Sequence, residues 1–356
     1  MKALVLHAAG DARVEDRPDP TRPRSTEATL RITRAGLCGT DATEYLAGPV
    51  MTPLKTRHPG SGFFGPVVLG HEFIGVVELV GDEVDRIEVG DRVAAGAGVW
   101  CGSCDWCQRG ETNLCASYWT FGLSADGGLA ERLTVPAAML HPVASGVSDD
   151  NAALAQPLAV ALHAVSRSQI GPGDVVIVNG AGAIGSFIVA GAVAAGAGAV
   201  VALDVEESRL VVARRLGASQ AVNVTTADIE EVVREVTGGA LADVCVEASG
   251  TPDGMGRLQR LTRRGGTMLL VGLPKKQVTF DSVDLILREI SVATTVAHVC
   301  DKNLPAALDL LASRDLAALL VERVVPLDRV IEDALQPLAA GRARGKLLVD
   351  PQQPTA

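Results

Sequence analysis

The chain has 356 residues, of which 47% are hydrophobic and 21% are charged, and its formal net charge is −10 at pH 7. This length accommodates two domains that each bury a core, and the composition excludes a disordered chain. The acidic balance offers no basic surface, so neither nucleic acid nor an anionic membrane is expected as a partner. The apolar run at residues 1–7 is too short for a secretory signal, and a cytoplasmic protein is expected.

Residues 1–155 are predicted to be mostly β. Short runs of alternating apolar and polar residues, separated by Gly, Pro and Asp, predict strands near 28–33, 67–69, 74–80 and 91–95. Closely spaced short strands of this kind are typical of a partly closed barrel.

From about residue 173 the pattern changes to alternating strands and helices. The predicted strands are 175–179, 200–204, 221–224, 243–247, 267–271 and 291–296, with helices such as 206–216 and 228–236 between them. Six such strands predict an α/β fold with a doubly wound parallel sheet. Residues 298–356 are mixed again, with helices near 305–313 and 328–340 and a last strand at 346–349. The simplest organisation is a domain at 156–297 inserted between a first segment, 1–155, and a return segment, 298–356.

A Gly-x-Gly-x-x-Gly turn follows the first strand of the inserted domain. Its glycines permit a tight turn, let backbone approach a pyrophosphate, and let the helix pack on the strand. The pyrophosphate would lie on free N–H groups at the helix N-terminus. In an Ala/Gly-rich chain the same letters also fit an ordinary strand–helix turn. The candidate cofactor residues here are Gly180, Gly182, Ala183, Ile184 and Gly185.

Asp204 ends the next predicted strand, 19 residues after Gly185. A carboxylate at this point accepts hydrogen bonds from the adenosine ribose, which predicts NAD rather than NADP. Asp204 also fits an N-cap for the helix at Glu206. Arg209 would either pair near the adenosine or tolerate a phosphate. Loops after two later strands line the cofactor or are simple turns, and their candidate residues are Ser249, Val271, Gly272 and Leu273.

The 21 residues from Ala183 to Leu203 carry no charge and are long enough to span a bilayer. Gly196 and Gly198 would interrupt such a helix. A buried helix, a turn and a buried parallel strand explain the segment better, because such strands are continuously apolar.

Four of the seven cysteines lie within one short stretch, as Cys101, Cys104, Cys107 and Cys115. An odd count and this clustering argue against a disulfide framework. Two-residue spacings let a tight loop direct successive sulfurs at one centre, and zinc accepts four thiolates in a closed tetrahedron. The sequence therefore predicts a structural zinc site.

Three further short motifs carry metal-binding or polar side chains, although each alone also fits a packed residue. They are Cys38-Gly39-Thr40-Asp41, Gly70-His71-Glu72 and Gln156-Pro157-Leu158. With the cysteine loop and the glycine turn, their order resembles the zinc-dependent medium-chain dehydrogenases. Within that superfamily the chain is most similar to the 2,3-butanediol dehydrogenase group, through Glu44–Pro49, Val67–Phe73, Gly122–Gly128 and Leu158–Val165.

The resemblance implies a GroES-like catalytic domain around a Rossmann domain, with NAD, one structural zinc and one catalytic zinc. Cys38 and His71 would bind the catalytic zinc, with Glu72 beside it and able to enter its ligand shell. Thr40 would hydrogen-bond the substrate oxygen and start a proton relay, and Asp41 would hold the His71 ring. The resemblance also assigns Lys346 to cofactor binding and implies a homodimer or homotetramer.

Two residues depart from that group. Gln156 replaces the usual Glu as third zinc ligand, and Thr43 stands where a relay histidine is often found. Loss of one negative charge predicts a more weakly held zinc than the one in the cysteine loop. Thr43 does not titrate near neutrality, so the proton exit stays unassigned.

The Pro/Gly-containing stretch 49–66 is a long insertion between the zinc-binding motifs. Such loops often cover or border a site, which predicts a role in substrate entry. Phe63 and Phe64 would either shape that entry or pack on a neighbouring subunit. His58 is not expected to bind metal.

Three functions are compatible with the sequence. The first is an NAD-dependent zinc dehydrogenase acting on a small secondary alcohol or vicinal diol. Gln156 and Thr43 suggest a second, a sugar, polyol or cyclitol dehydrogenase. The third is a non-catalytic dinucleotide-binding protein with a decayed metal site, against which the joint presence of Cys38, Thr40, His71 and Glu72 argues.

Overall fold

The structure is a computed structural model that describes residues 1–274 and 276–353. The chain divides into two compact units. Met1–Gln156 and the segment from Val299 onward form the first, and Pro157–His298 form the second. The 14-residue helix Ala155–Ser168 begins in the first unit and continues into the second.

Strands dominate the first unit, and strands and helices alternate in the second. The strands are β1 (Lys2–Ala8), β2 (Asp11–Asp16), β3 (Glu27–Gly36), β4 (Val67–Val68), β5 (Glu72–Val80), β6 (Arg92–Ala95), β7 (Gly98–Val99), β8 (Trp119–Thr120), β9 (Arg132–Pro136), β10 (Leu140–Pro142), β11 (Val175–Asn179), β12 (Ala199–Asp204), β13 (Gln220–Asn223), β14 (Ala242–Glu247), β15 (Thr262–Leu270), β16 (Ser291–Thr294), β17 (Val321–Pro326) and β18 (Lys346–Asp350). The helices are α1 (Gly39–Ala47), α2 (Asp105–Gln108), α3 (Asp149–Ala152), α4 (Ala155–Ser168), α5 (Ala183–Ala194), α6 (Glu207–Leu216), α7 (Ile229–Thr237), α8 (Pro252–Leu261), α9 (Ser282–Leu287), α10 (Cys300–Ser313), α11 (Ala317–Leu320) and α12 (Gln336–Ala339).

The first unit is built on a seven-stranded sheet in the order β10-β6-β5-β3-β18-β17, with β9 also paired to β3. Its other sheets have the orders β2-β1-β4 and β7-β8. Gly36, the last residue of β3, lies opposite Glu72 at the start of β5 and opposite Leu348 of β18. The end of β3 and the starts of β5 and β18 therefore meet at one edge of the sheet.

The second unit contains a six-stranded parallel sheet in the order β13-β12-β11-β14-β15-β16, which confirms the predicted doubly wound fold. Its central strands are apolar and buried because helices cover both faces of such a sheet. Asn179, at the end of β11, lies opposite Leu203 on β12 and Glu247 on β14. Polar residues that end these strands are thus brought side by side at the carboxyl edge.

The uncharged segment Ala183–Leu203 forms α5, a turn and β12, as predicted. Eight consecutive residues of α5 are buried, which is expected for a helix that is apolar on all sides. Across the described ranges, no helix combines the length and apolar character needed to cross a membrane.

Candidate active site and metal centres

The four clustered cysteines converge in the first unit. The sulfur atoms of Cys101, Cys104, Cys107 and Cys115 all lie within 4.8 Å of one another. Two of the Sγ–Sγ distances are 3.6 Å, between Cys104 and Cys107, and 4.0 Å, between Cys101 and Cys107. A zinc tetrahedron with bonds of about 2.3 Å has sulfur–sulfur edges of about 3.8 Å. The residues fit a four-thiolate zinc site.

Backbone N–H groups stabilise negative charge on this cluster. The pKa of Cys101 is lowered to about 6, chiefly by hydrogen bonds from Ser103 and Cys104. The N–H of Cys101 in turn donates to Cys115 Sγ at 3.3 Å. Burial raises the pKa of Cys107 to about 12. Zinc binding at this site must therefore displace protons from part of the cluster.

Cys38 immediately precedes helix α1, in extended backbone conformation, at the end of β3. Its N–H donates to Asp41 Oδ2 at 2.8 Å, which closes the first turn of the helix. The hydroxyl of Thr40 lies 3.8 Å from Cys38 Sγ. The local turn thus presents a thiol and a hydroxyl together, at the sheet edge where β5 and β18 begin.

Glu72 is the first residue of β5, and His71 precedes it, directly after a turn at Gly70. Gly70 has φ +97°, and a Cβ there would lie 2.7 Å from the backbone nitrogen of Leu129, so the turn requires glycine. The candidate ligand atoms of Cys38, His71 and Glu72 all lie within 4.8 Å of one another, and His71 and Glu72 are buried. A thiolate, an imidazole and a carboxylate form a donor set suited to catalytic zinc.

Three buried polar atoms at this site have no hydrogen-bond partner among the described residues, namely His71 Nδ1, Asp41 Oδ1 and Glu72 Oε2, the last of which is ion-paired with Lys346. His71 Nδ1 and Asp41 Oδ1 lie 3.7 Å from each other, which is near but beyond hydrogen-bond distance. Burial lowers the pKa of His71, but Asp41 and Cys38 outweigh it and raise that pKa to about 10. Burial raises the pKa of Asp41. Unpaired buried polar atoms are costly, and a bound metal would relieve that cost by reorganising this pair.

Lys346 forms an ion pair with Glu72. Its side chain and that of Glu72 are only 5% and 2% exposed. Burial alone would lower the pKa of Lys346, but the negative charges of Glu72 and Cys38 together raise it by more. The pKa of Lys346 is therefore above its ordinary value, and the ammonium stays charged. Gly36 permits the pair, since a Cβ there would lie 2.4 Å from Glu72 Oε2. The structure thus places Lys346 beside the candidate zinc ligands; cofactor contact remains a prediction for this residue.

The structure also shows the surroundings of Gln156 and Thr43, the two residues that differ from the butanediol dehydrogenase group. Gln156 is the second residue of α4 and is half-buried, in the same unit as Cys38 and His71. Thr43 is exposed, and its hydroxyl donates to the Gly39 carbonyl at 2.9 Å. Metal binding by Gln156 remains a prediction, and the Thr43 hydroxyl is used within its own helix.

The glycine turn in the second unit has the geometry of a dinucleotide cradle. Gly180 has φ +97°, and a Cβ on Gly185 would lie 1.7 Å from the Gly180 carbonyl oxygen. Gly182 is the N-cap of α5, and a Cβ on it would meet nothing within 4 Å. The helix N-terminus, formed by Ala183 and Ile184, therefore faces free space where a pyrophosphate fits.

Asp204 is buried at the end of β12 and organises the same edge. Its Oδ2 accepts a hydrogen bond from Ala181 N at 2.8 Å, and its Oδ1 accepts from the N–H groups of Val205 and Glu206. Helix α6 has Glu206 rather than Asp204 as its N-cap. Arg209 reaches Asp204 Oδ1 at 3.5 Å. The carboxylate thus connects the glycine turn with the loop that follows β12.

Sequence reasoning missed a buried carboxylate that shapes the neighbouring loop. Glu247, at the end of β14, is fully buried and accepts hydrogen bonds from the N–H groups of Ser249 and Gly250 and from the Asn179 amide. Close packing continues to Gly272, where a Cβ would lie 2.4 Å from Gly250 N. The loops containing Ser249 and Val271–Leu273 are therefore in contact at the carboxyl edge. An acidic residue ending an apolar strand was the available signal.

A second missed carboxylate holds the insertion that follows α1. Glu44 is fully buried and accepts hydrogen bonds from Val50 N, Met51 N and the Thr52 hydroxyl. Further along the insertion, His58 Nδ1 accepts from backbone N–H groups of a local turn. This imidazole lies outside the groups of described residues suited to metal.

The chain matches two known families over consecutive parts of its length. Residues 24–145 match the alcohol dehydrogenase GroES-like domain, and residues 183–313 match the zinc-binding dehydrogenase domain. The protein therefore belongs to the zinc-binding, medium-chain alcohol dehydrogenases.

Three individual dehydrogenases illustrate this similarity. The chain is 32% identical to sorbitol dehydrogenase of Bacillus subtilis (strain 168), over 78% of this chain and 76% of that protein. It is 30% identical to (R,R)-butanediol dehydrogenase of Neisseria gonorrhoeae, over 99% of both. It also superposes on the crystal structure of 2R,3R-butanediol dehydrogenase from Bacillus subtilis with a TM-score of 0.91, at 30% identity and 99% coverage of both chains.

These findings make the chain an enzyme, an alcohol dehydrogenase that uses zinc and a nicotinamide dinucleotide. Its four-cysteine cluster and its Cys38–His71–Glu72 group fit the two zinc ions, and its glycine turn fits the dinucleotide. They argue against a non-catalytic protein with a decayed metal site.

Proposed function

We propose that this enzyme interconverts a small secondary alcohol or vicinal diol and the corresponding ketone, with NAD as the hydride carrier. The observation that carries the proposal is the buried Cys38–His71–Glu72 group, beside which Thr40 supplies a hydroxyl. Similarity to (R,R)-butanediol dehydrogenase over 99% of both chains supports the vicinal diol.

When bound, zinc supplies a Lewis acid for the substrate hydroxyl, and NAD accepts the hydride from the carbinol carbon. Cys38 and His71 would hold the metal, with Glu72 next to it. The hydroxyl of Thr40 accepts the substrate proton while it donates its own to the next acceptor. The hydrogen bond between Cys38 N and Asp41 keeps this first turn of α1 closed, so the Thr40 hydroxyl stays beside the Cys38 sulfur.

A second candidate is a sugar, polyol or cyclitol dehydrogenase, favoured by Gln156 and by the similarity to sorbitol dehydrogenase. Values of kcat/KM for 2,3-butanediol stereoisomers, sorbitol, glucose and inositol distinguish the two candidates. At least tenfold preference for a butanediol supports the first, and preference for a polyol or sugar overturns it. Thr40→Val serves as the control, because it removes the relay hydroxyl and should abolish turnover with both zinc ions retained.

Asp204 supports NAD over NADP. A 2′-phosphate near 4 Å from this carboxylate would be repelled by about 4 kcal/mol at an effective dielectric of about 20. That is sufficient for a preference of roughly a hundredfold or more. Comparable kcat/KM for both cofactors would contradict the assignment, and Arg209→Gln tests whether Arg209 offsets the repulsion.

We further propose that two copies associate through the β16 edge of the six-stranded sheet. β16 is one of the two edge strands of that sheet, and Val292 on it is exposed. The adjacent helix α9 exposes Val283, Ile286 and Leu287. An edge strand flanked by exposed apolar side chains is a surface for strand pairing. Val292→Lys should convert a dimer to monomers in light scattering, and an unchanged mass would overturn this surface.

A further inference from the structure

A third cluster of metal-binding side chains lies in the first unit, apart from the catalytic group and the four-cysteine cluster. It consists of His141 on β10 and of Cys300 and Asp301, the first two residues of α10. The candidate ligand atoms lie within 4.8 Å of one another. The proposed function makes no use of these residues.

The contacts within this cluster are long, and Cys300 Sγ also lies 3.7 Å from the Met139 carbonyl oxygen, to which its S–H can donate. His141 Nε2 lies 3.7 Å from Cys300 Sγ and 3.8 Å from Asp301 Oδ1. Nε2 thus faces a sulfur and an oxygen together, and its separation from the oxygen is too long for a hydrogen bond. The edges of a zinc tetrahedron between such atoms measure about 3.3–3.6 Å, so small side-chain rotations would bring all three to binding distance.

Burial and charge also fit a divalent ion. His141 and Cys300 are 6% and 3% exposed, whereas Asp301 is 57% exposed on its side chain and borders solvent. A thiolate, a carboxylate and a neutral imidazole around Zn²⁺ sum to zero charge, which suits a largely buried position. The exposed side leaves the fourth position to water.

We propose that His141, Cys300 and Asp301 form a third, exchangeable zinc site. Binding breaks the Cys300 S–H bond and forms a metal–sulfur bond, and the proton passes to bulk water. The ion would join β10 to the first turn of α10 within the first unit. Arg86, whose positive charge acts on both His141 and Cys300, weakens the site.

The test uses the enzyme carrying its two family zinc ions, titrated with Zn²⁺ and analysed for metal per chain after gel filtration. We expect a third equivalent. Co²⁺ added in its place should give a thiolate-to-metal absorption band. Cys300→Ser should remove both signals. At the exposed position, Asp301→Asn should weaken binding about tenfold, while Asp309→Asn, farther along the same helix, should have no effect.

Arg86→Gln should instead raise the affinity for the third zinc ion, on the order of two- to fivefold, because it removes a solvent-exposed cation that repels the metal. Absence of a third equivalent in the wild-type enzyme would overturn the proposal. The proposal would also be overturned if Cys300→Ser still bound a third zinc ion and Asp301→Asn bound it with the wild-type affinity. Both results would show that the three side chains are packed together without binding metal.

Discussion

Replacing Lys346 with Met should expose the energetic role of the buried pair beside the catalytic group. Met keeps most of the aliphatic volume and removes the ammonium, so the Glu72 carboxylate, 2% exposed, loses its cation. Removing one partner of a buried ion pair costs about 3–5 kcal/mol. We expect a loss of that size for Lys346→Met and a similar loss for Glu72→Gln. In the double variant no charge is left unpaired, so the combined loss should fall short of the sum by about 2–3 kcal/mol.

The tryptophans make the assay specific. All three, Trp100, Trp106 and Trp119, lie in the first unit, so their fluorescence during urea unfolding reports the unit that holds the pair. The four proteins of the double-mutant cycle are compared with metal bound and after chelation. A coupling free energy below about 0.5 kcal/mol, that is, additive single losses, would refute the reasoning.

Three further predictions follow from local geometry. Gly182→Ala should weaken NADH binding about tenfold in fluorescence titration and leave the melting temperature unchanged, because its Cβ meets no protein atom within 4 Å. Gly185→Ala should weaken NADH binding and also lower the melting temperature, because its Cβ would clash with the Gly180 carbonyl. Equal NADH affinity in both variants and wild type would place the dinucleotide elsewhere. Asn151→Ala should destabilise the first unit by about 2–5 kcal/mol in urea unfolding. The buried Asn151 amide donates to the Leu311 and Arg314 carbonyls and accepts from two backbone N–H groups, all of which the variant loses. A loss of stability below about 1 kcal/mol would contradict this prediction. During mild chelation, metal analysis should show the catalytic zinc leaving before the four-cysteine zinc, and Gln156→Glu should slow that loss; simultaneous departure of both ions would oppose the argument from charge.

Features set by residues close in sequence could be predicted. The cysteine spacing places four sulfurs on one loop, and the strand–glycine–helix order leads directly to the free N-terminus of α5. The six parallel strands followed from their apolar runs, because a strand covered on both faces shows little else. In each case the relevant contacts lie within one supersecondary unit.

Features that depend on distant residues could not be predicted. Lys346 and Glu72 meet only because β5 and β18 pair with opposite edges of β3, an arrangement that no local pattern specifies. His141 and Cys300 are 159 positions apart, and each alone is an ordinary buried residue. The role of Gln156 is also undetermined by sequence, since a metal-binding amide and a half-buried helical glutamine have the same local surroundings.

The anchoring of the insertion by Glu44 separates changes in this loop from the position of α1. Its carboxylate fixes residues 50–52, and the Gly65 N–H donates to the Pro53 carbonyl at 3.1 Å, which closes the neck of the loop. Val68 N then donates to Asp126, so the chain is fixed again beyond it. Residues 54–64 lie between these anchors, where the Ser61 hydroxyl also donates to the Ser124 carbonyl, so this loop can be exchanged or lengthened without moving α1. Evolution or a designer can alter this surface loop while Cys38 and Thr40 stay in position.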